Sequence, residues 1–155
     1  MARHLLALLA LIALSTGVPE QAVADSECAR PWSFAHTLRV GEASFNVAVA
    51  STGQERMRGL SGVCPMAANE GLYFVFPAPG LLPFWMKDMR FPLDIVWIDA
   101  QHRVIHIRDN VAPETFPAVF AAEQPARYVL EINAGRAREA GIQVGDVATL
   151  DQPPL

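Results

Sequence analysis

The chain has 155 residues, a formal net charge of −4 and a hydrophobic content of 52%. That length allows one domain with one hydrophobic core. Because the sequence contains no run or patch of basic residues, we expect neither nucleic acid nor an anionic lipid surface as a partner.

The N-terminus has the three parts of a secretory signal peptide. A short basic start is followed by an apolar run over residues 5–14, which is too short to span a bilayer, and by small residues ending at Ala24. We therefore predict that residues 1–24 are a signal peptide cleaved after Ala24, and that the mature protein is periplasmic or secreted. The alternative is an uncleaved membrane anchor. No later segment is long enough to span a membrane.

Two cysteines, Cys28 and Cys64, lie in the predicted mature chain. In an oxidising compartment two cysteines favour one disulfide, which would tie the N-terminal arm to the loop after the first helix. The alternative is two unrelated buried thiols.

The remaining chain predicts about seven strands and two short helices. Thr52 and Glu55 form a capping-box pattern that starts the first helix, and Asn133 is the predicted N-cap of the second. The strands follow one another without the helical crossovers of a parallel sheet. We therefore predict an α+β, mainly β domain over residues 25–150 that forms a small closed or semi-closed barrel, followed by a loose tail at residues 151–155.

A central hairpin is predicted from two strands, residues 93–99 and 104–109. A tight connection would place His102 at positive φ, a position at which histidine is enriched among non-glycine residues. The resulting register places Asp94 opposite Arg108, with His106 on the same face. This cluster is either a cross-strand ion pair or a polar group at the mouth of a barrel.

A second candidate site follows the apolar residues at positions 84–86. Lys87 and Asp88 come directly after Trp85, and charged side chains of this kind rarely lie fully buried unless they are paired. We expect these three residues to line a cleft with Glu70 or Glu131 nearby, covered by the proline-containing loop at residues 110–125. The alternative is a packed tryptophan covered by the lysine stem.

Several blocks, in order along the chain, resemble those of the DUF192 family (domain of unknown function 192). They lie at residues 55–60, 69–77, 84–88, 91–99, 127–131, 134–135 and 141–146. The resemblance implies a compact β-rich fold, often exported, and it implies no established activity. The chain departs from the family pattern at Asp88 and Met89, and at Gln101 and His102 in the hairpin turn.

The sequence carries no recognisable catalytic, phosphate-binding or metal-binding motif, so we predict neither cofactor nor metal. The favoured hypothesis is a monomeric, non-enzymatic exported binding or accessory domain whose ligand is a small molecule, sugar or peptide. The alternative is a hydrolase-like enzyme that uses Asp94, His106 and nearby carboxylates.

Overall fold

The computed structural model describes residues 28–151, and the predicted signal peptide lies outside this range. The first residue of the predicted tail, Asp151, donates its backbone N–H to the Thr37 carbonyl at 3.0 Å, and the rest of that tail lies outside the described residues. Seven strands, two short α-helices and one 3₁₀ turn (Pro113–Thr115) make up the described chain. Their bounds are β1 His36–Val40, β2 Ala43–Ala50, α1 Gly53–Arg58, β3 Glu70–Gly80, β4 Leu93–Ile98, β5 Val104–Val111, β6 Ala126–Asn133, α2 Arg136–Glu139 and β7 Ala148–Leu150.

The seven strands form one mixed sheet in the order β5-β4-β6-β3-β2-β1-β7, curved into a half-barrel. This confirms the predicted fold class. The edge strands meet at one end, where the Val104 N–H donates to the Asp146 carbonyl and the Ala148 N–H donates to the His102 carbonyl, both at 2.8 Å. The expectation of no parallel crossover is wrong at one point. Strands β2 and β3 pair in parallel because the segment containing α1 connects them.

The sheet separates two hydrophobic clusters. All seven strands contribute to the first, which we call the strand core, and which includes Phe45, Tyr73 and Leu130. The second, which we call the covered core, lies on the opposite face of β3, β4 and β6. There Phe74 and Trp97 pack against loop residues such as Phe84. Successive residues of a strand alternate between the two clusters.

Strands β3 and β6 approach closely where Gly71 pairs with Ile132. A Cβ atom at Gly71 would lie 2.8 Å from Cγ2 of Ile132 and 2.9 Å from the Glu131 carbonyl oxygen. Only glycine leaves room for the two strands at this point. The pairing therefore fixes the position of Glu131 on the neighbouring strand.

The predicted start of α1 is confirmed. The Thr52 hydroxyl accepts from the Glu55 N–H at 3.2 Å, and the Glu55 carboxylate accepts from the Thr52 N–H at 2.8 Å. These bonds to Thr52 and Ser51 lower the pKa of Glu55.

The predicted N-cap of α2 is wrong. Asn133 ends β6, and Gly135 takes the cap position at φ 82°. The N–H groups of Gly135 and Ala137 are instead satisfied by the side chain of Asp94, at 3.0 and 2.8 Å. A residue about forty positions earlier in the chain therefore supplies the cap.

The central hairpin forms, with His102 at φ 61° as predicted. Ile98 pairs with Val104, but the next pair is Trp97 with His106, because a bulge inserts Ile105 into β5. Every later pair is shifted, and Arg108 lies opposite Ile95. The predicted register beyond Val104 is therefore wrong.

The predicted disulfide between Cys28 and Cys64 is confirmed, with the two Cα atoms 5.0 Å apart. It holds the N-terminal arm against the loop that follows α1. The indole N–H of Trp32 in the same arm donates to the Gly59 carbonyl at 3.0 Å. Within residues 28–151, no helix has the length and apolar character needed to cross a membrane.

Candidate functional site

A cavity of about 830 Å³ opens on the covered face of the sheet, between β3, β6 and the segments that overlie them. Its walls are mainly apolar and include Leu60, Phe74, Phe76 and Phe84. This volume lies within the range of small-molecule sites in proteins.

The segment at residues 83–89 forms one side of the cavity. Phe84 anchors it: the backbone of Phe84 is bridged to Phe120, and its ring packs edge-on against Phe74 and Trp97. Met86 is also buried, whereas the intervening Trp85 is 55% exposed and lines the cavity. The alternation of buried and exposed residues therefore places Trp85 at the mouth.

Lys87 and Asp88 occupy a turn that is held from the other side of the cavity. The Lys87 carbonyl accepts from the Ser61 hydroxyl, and the Asp88 carbonyl accepts from the Gly62 N–H, both at 2.8 Å. Asp88 has φ 56°, a left-handed conformation that aspartate tolerates better than most residues. The backbone is thus fixed while both side chains remain exposed at the cavity.

Helix α1 and the residue after it form the opposite side. Arg56 and Arg58 line the cavity, and Met57 between them is 89% exposed. The Arg56 guanidinium lies 5.0 Å from the centre of the Phe76 ring and donates to the carbonyls of Val75 and Ser51. The sequence block at residues 55–60 was part of the family resemblance, but its position at the cavity was not predicted.

Glu131 is the buried polar group of this cavity. It is 5% exposed and lies on β6 between Leu72 of β3 and Ile95 of β4. Among the described residues, its Oε2 is a buried side-chain oxygen without a hydrogen-bond partner. Burial raises the pKa of Glu131 to about 8, because the charged form would lose its hydration without gaining a partner. The carboxyl group is therefore mostly protonated near neutral pH.

The structure brings four of the five predicted residues to the same cavity: Trp85, Lys87, Asp88 and Glu131. Glu70 lies elsewhere, in a smaller cavity of about 200 Å³ beside Cys64, and its carboxylate accepts from the Ala67 N–H. No residue of the loop at 110–125 is among the cavity's lining residues. The expectation that this loop covers the cleft is wrong. One residue of the loop, Phe120, instead forms a β-bridge with Phe84.

The predicted cluster of Asp94, His106 and Arg108 is not formed. Asp94 is fully buried on the strand-core face, where it accepts from the backbone of Asn110, Gly135 and Ala137. His106 packs on Trp97 with ring centres 5.3 Å apart, and Arg108 lies over Phe120, both on the opposite face. The bulge at Ile105 is the reason, since a shift of one residue moves side chains to the other face of a strand.

Comparison with known proteins agrees with this fold. The model of the DUF192 family, an "uncharacterized ACR", matches residues 36–150. The chain belongs to the DUF192 family. This confirms the resemblance read from the sequence blocks. No curated protein matches the chain.

Two solved structures are similar to this DUF192 domain, each with a TM-score of 0.69. One is a protein of unknown function from Novosphingobium aromaticivorans, 31% identical, with 73% of this chain and 83% of that chain covered. The other is described as a "putative transcription regulator" from Sinorhizobium meliloti, 28% identical, with 74% of this chain and 92% of that chain covered.

No group of three or more His, Cys, Asp or Glu side chains within residues 28–151 is arranged to hold a metal ion. The ionisable groups of the cavity are instead three cationic side chains, the carboxylate of Asp88 and the carboxyl of Glu131. This set suits hydrogen bonding and charge recognition of an organic molecule.

Proposed function

We propose that this protein is an exported, non-enzymatic binding domain that takes a small, largely apolar molecule into the cavity above β3 and β6. Trp85, Lys87, Asp88 and Glu131 are its proposed ligand contacts. The single observation that carries the proposal is the cavity itself, in which apolar walls surround a buried carboxyl group whose Oε2 has no partner.

The buried carboxyl group of Glu131 lowers the stability of the empty protein. A buried polar atom without a hydrogen bond costs about 1–3 kcal/mol. In a closed core nothing could offset this free-energy cost, but Glu131 lines a cavity that a ligand can enter.

Export is the second part of the proposal. We infer cleavage after Ala24 and a periplasmic or secreted monomer. The disulfide between Cys28 and Cys64 supports an oxidising compartment, where such bonds persist. N-terminal sequencing of the exported protein should begin at Asp25, and retention of Met1 would contradict this.

We do not propose nucleic-acid binding, although one similar structure is described as a transcription regulator. The net charge of −4 opposes binding to a polyanion. The α-helices within residues 28–151 are six and four residues long, shorter than the recognition helices that enter a DNA groove.

The enzymatic alternative now rests on Glu131 and not on Asp94 and His106, because the latter two lie on opposite faces of the sheet. A carboxyl group with a raised pKa in a cavity beside Lys87 and Asp88 has features of a general acid. Turnover of a bound compound, lost in Glu131→Gln, would favour this alternative over simple binding.

A thermal-shift screen of the exported protein against apolar acids, alcohols, amines, sugars and short peptides tests the proposal. Compounds that raise Tm should lose their effect in Trp85→Ala and keep it in Val144→Ala, an exposed apolar residue outside the cavity lining. Hits that respond equally in both variants would contradict binding at this cavity.

A further inference from the structure

The charge around the cavity is opposite to that of the whole chain. The protein carries a net −4, yet the cavity is lined by Arg56, Arg58 and Lys87 against one exposed carboxylate, Asp88. Arg58 and Lys87 are exposed, and in residues 28–151 no ion pair involves either side chain. The mouth therefore has a local positive potential that attracts anions.

The interior contributes no compensating charge while Glu131 is protonated. Its neighbours on the adjacent strands are Leu72 and Ile95, and the nearby acidic Asp94 points to the opposite face. The charged groups that face the cavity with Glu131 are those of Arg56, Arg58, Lys87 and Asp88. An apolar body placed against Phe74 and Phe84 would thus meet no fixed negative charge.

We propose that the ligand is an amphiphilic organic carboxylate, with its head held at the mouth by Lys87 and Arg58 and its apolar body packed against Phe74 and Phe84. This inference rests on the proposed function and narrows it to one chemical class. Lysine and arginine recognise carboxylates by charge-assisted hydrogen bonds. The protonated side chain of Glu131 favours the same class, since an ionised carboxylate beneath the ligand would repel it.

An organic amine is the competing class. Its ammonium group would have to pass three cationic side chains at the mouth. Inside, it would be stabilised only by ionising Glu131, which burial opposes. The geometry therefore favours an anion over a cation of equal length.

Isothermal titration calorimetry of the exported protein with octanoate, octanol and octylamine separates these classes. The three probes share one carbon chain and differ in the charge of the head group. We expect octanoate to bind about tenfold more tightly than octanol at low ionic strength, and added salt to reduce the difference. Octylamine should bind most weakly.

Variants of the mouth assign the head group. Lys87→Ala and Arg58→Ala should each weaken octanoate about two- to fivefold and leave octanol unchanged, as expected for partly exposed charge contacts. Arg138→Ala is the control, because Arg138 is an exposed arginine outside the cavity lining. An equal loss of octanoate affinity in Arg138→Ala would mean that only the net charge of the protein matters, and it would overturn the assignment of the head-group contacts to Lys87 and Arg58.

Glu131→Gln tests the interior. The native protein should bind octanoate at least about threefold more weakly at pH 9 than at pH 6, because ionised Glu131 repels the ligand. The variant keeps a hydrogen-bond donor and cannot ionise, so its affinity should change little. Equal pH dependence in both proteins would exclude Glu131 from the site.

The outcomes distinguish this inference from the function on which it rests. Equal binding of octanoate and octanol would overturn the carboxylate class and leave an apolar binding domain. Tighter binding of octylamine would also overturn it and would make Glu131 a counterion. If none of the three probes binds, the carboxylate class is overturned, and the thermal-shift screen against the wider set of compounds decides the proposed function.

Discussion

Two carboxyl groups, Asp94 and Glu131, are almost equally buried on adjacent strands but differ in their hydrogen bonding. Asp94 is 0% exposed and Glu131 is 5% exposed, and they lie one residue apart in the register of β4 and β6. Asp94 accepts three backbone N–H groups at 2.8–3.0 Å. Glu131 has an oxygen without a partner and a pKa raised to about 8.

The difference indicates a structural role for Asp94 on one face of the sheet and a binding role for Glu131 on the other. Asp94 joins the end of β5 and the start of α2 to β4, so the hydrogen bonds of its side chain hold three segments together. Glu131 joins nothing that the structure describes, and it faces a cavity. Burial alone therefore does not identify a functional carboxyl group; the number of donors that surround it does.

Removing Asp94 should have the largest effect. Asp94→Ala leaves three backbone donors without their acceptor, and we expect it to lower the free energy of unfolding by about 3–5 kcal/mol. Urea denaturation followed by circular dichroism measures this.

Asp94→Asn should cost about half as much, because the amide oxygen can still accept from Asn110 and Gly135 while its NH₂ group opposes the Ala137 N–H. Asp109→Ala, an exposed carboxylate on the same hairpin, is the control. A small effect at Asp94 would remove the contrast between the two groups.

Removing the ionisable group of Glu131 should change the pH dependence of stability. The native pKa of about 8 lies above the ordinary value of 4.5, so the folded protein binds more protons than the unfolded chain between these values. The stability that Glu131 contributes is full below about pH 4.5 and falls as pH rises to about 8.

In Glu131→Gln, the free energy of unfolding should not show this fall with rising pH. Between pH 6 and pH 8 the native protein should lose about 2–3 kcal/mol relative to the variant, at about 1.4 kcal/mol per pH unit. Denaturation curves at several pH values for both proteins give the difference. Parallel pH profiles would mean that Glu131 is already ionised in the folded protein.

Removing Lys87 should have the smallest effect on stability. Its side chain is exposed and has no ion pair within residues 28–151, so Lys87→Ala should change the free energy of unfolding by less than about 0.5 kcal/mol. Differential scanning calorimetry tests this. A much larger loss would assign Lys87 a structural role and weaken its place in the binding site.

Local patterns in the sequence predicted local structure well. The capping box at Thr52 and the positive φ of His102 both follow from rules that involve neighbouring residues. The seven strands and the disulfide followed from alternation of apolar residues and from the expected compartment. Apart from the disulfide, these features depend little on how distant segments meet.

The errors arose where local sequence patterns do not decide the structure. No local signal marks Ile105 as a bulge, so the hairpin register shifted and Asp94 left its predicted cluster. Asn133 was a plausible cap by type, but the donors of α2 are satisfied by Asp94 across the sheet. Glu131 lines the same cavity as Trp85 and Lys87, whereas its lack of a partner depends on the whole packed core.

The most direct test of this account is an NMR titration of the Glu131 side chain in protein labelled with ¹³C at glutamate carboxyl carbons, with Glu131→Gln used to assign the signal. We predict a midpoint near pH 8, far above that of an ordinary glutamate at 4.5. Octanoate should move this midpoint upward, because a bound anion disfavours a second negative charge. A midpoint near 4.5 that does not respond to ligand would contradict the central claim.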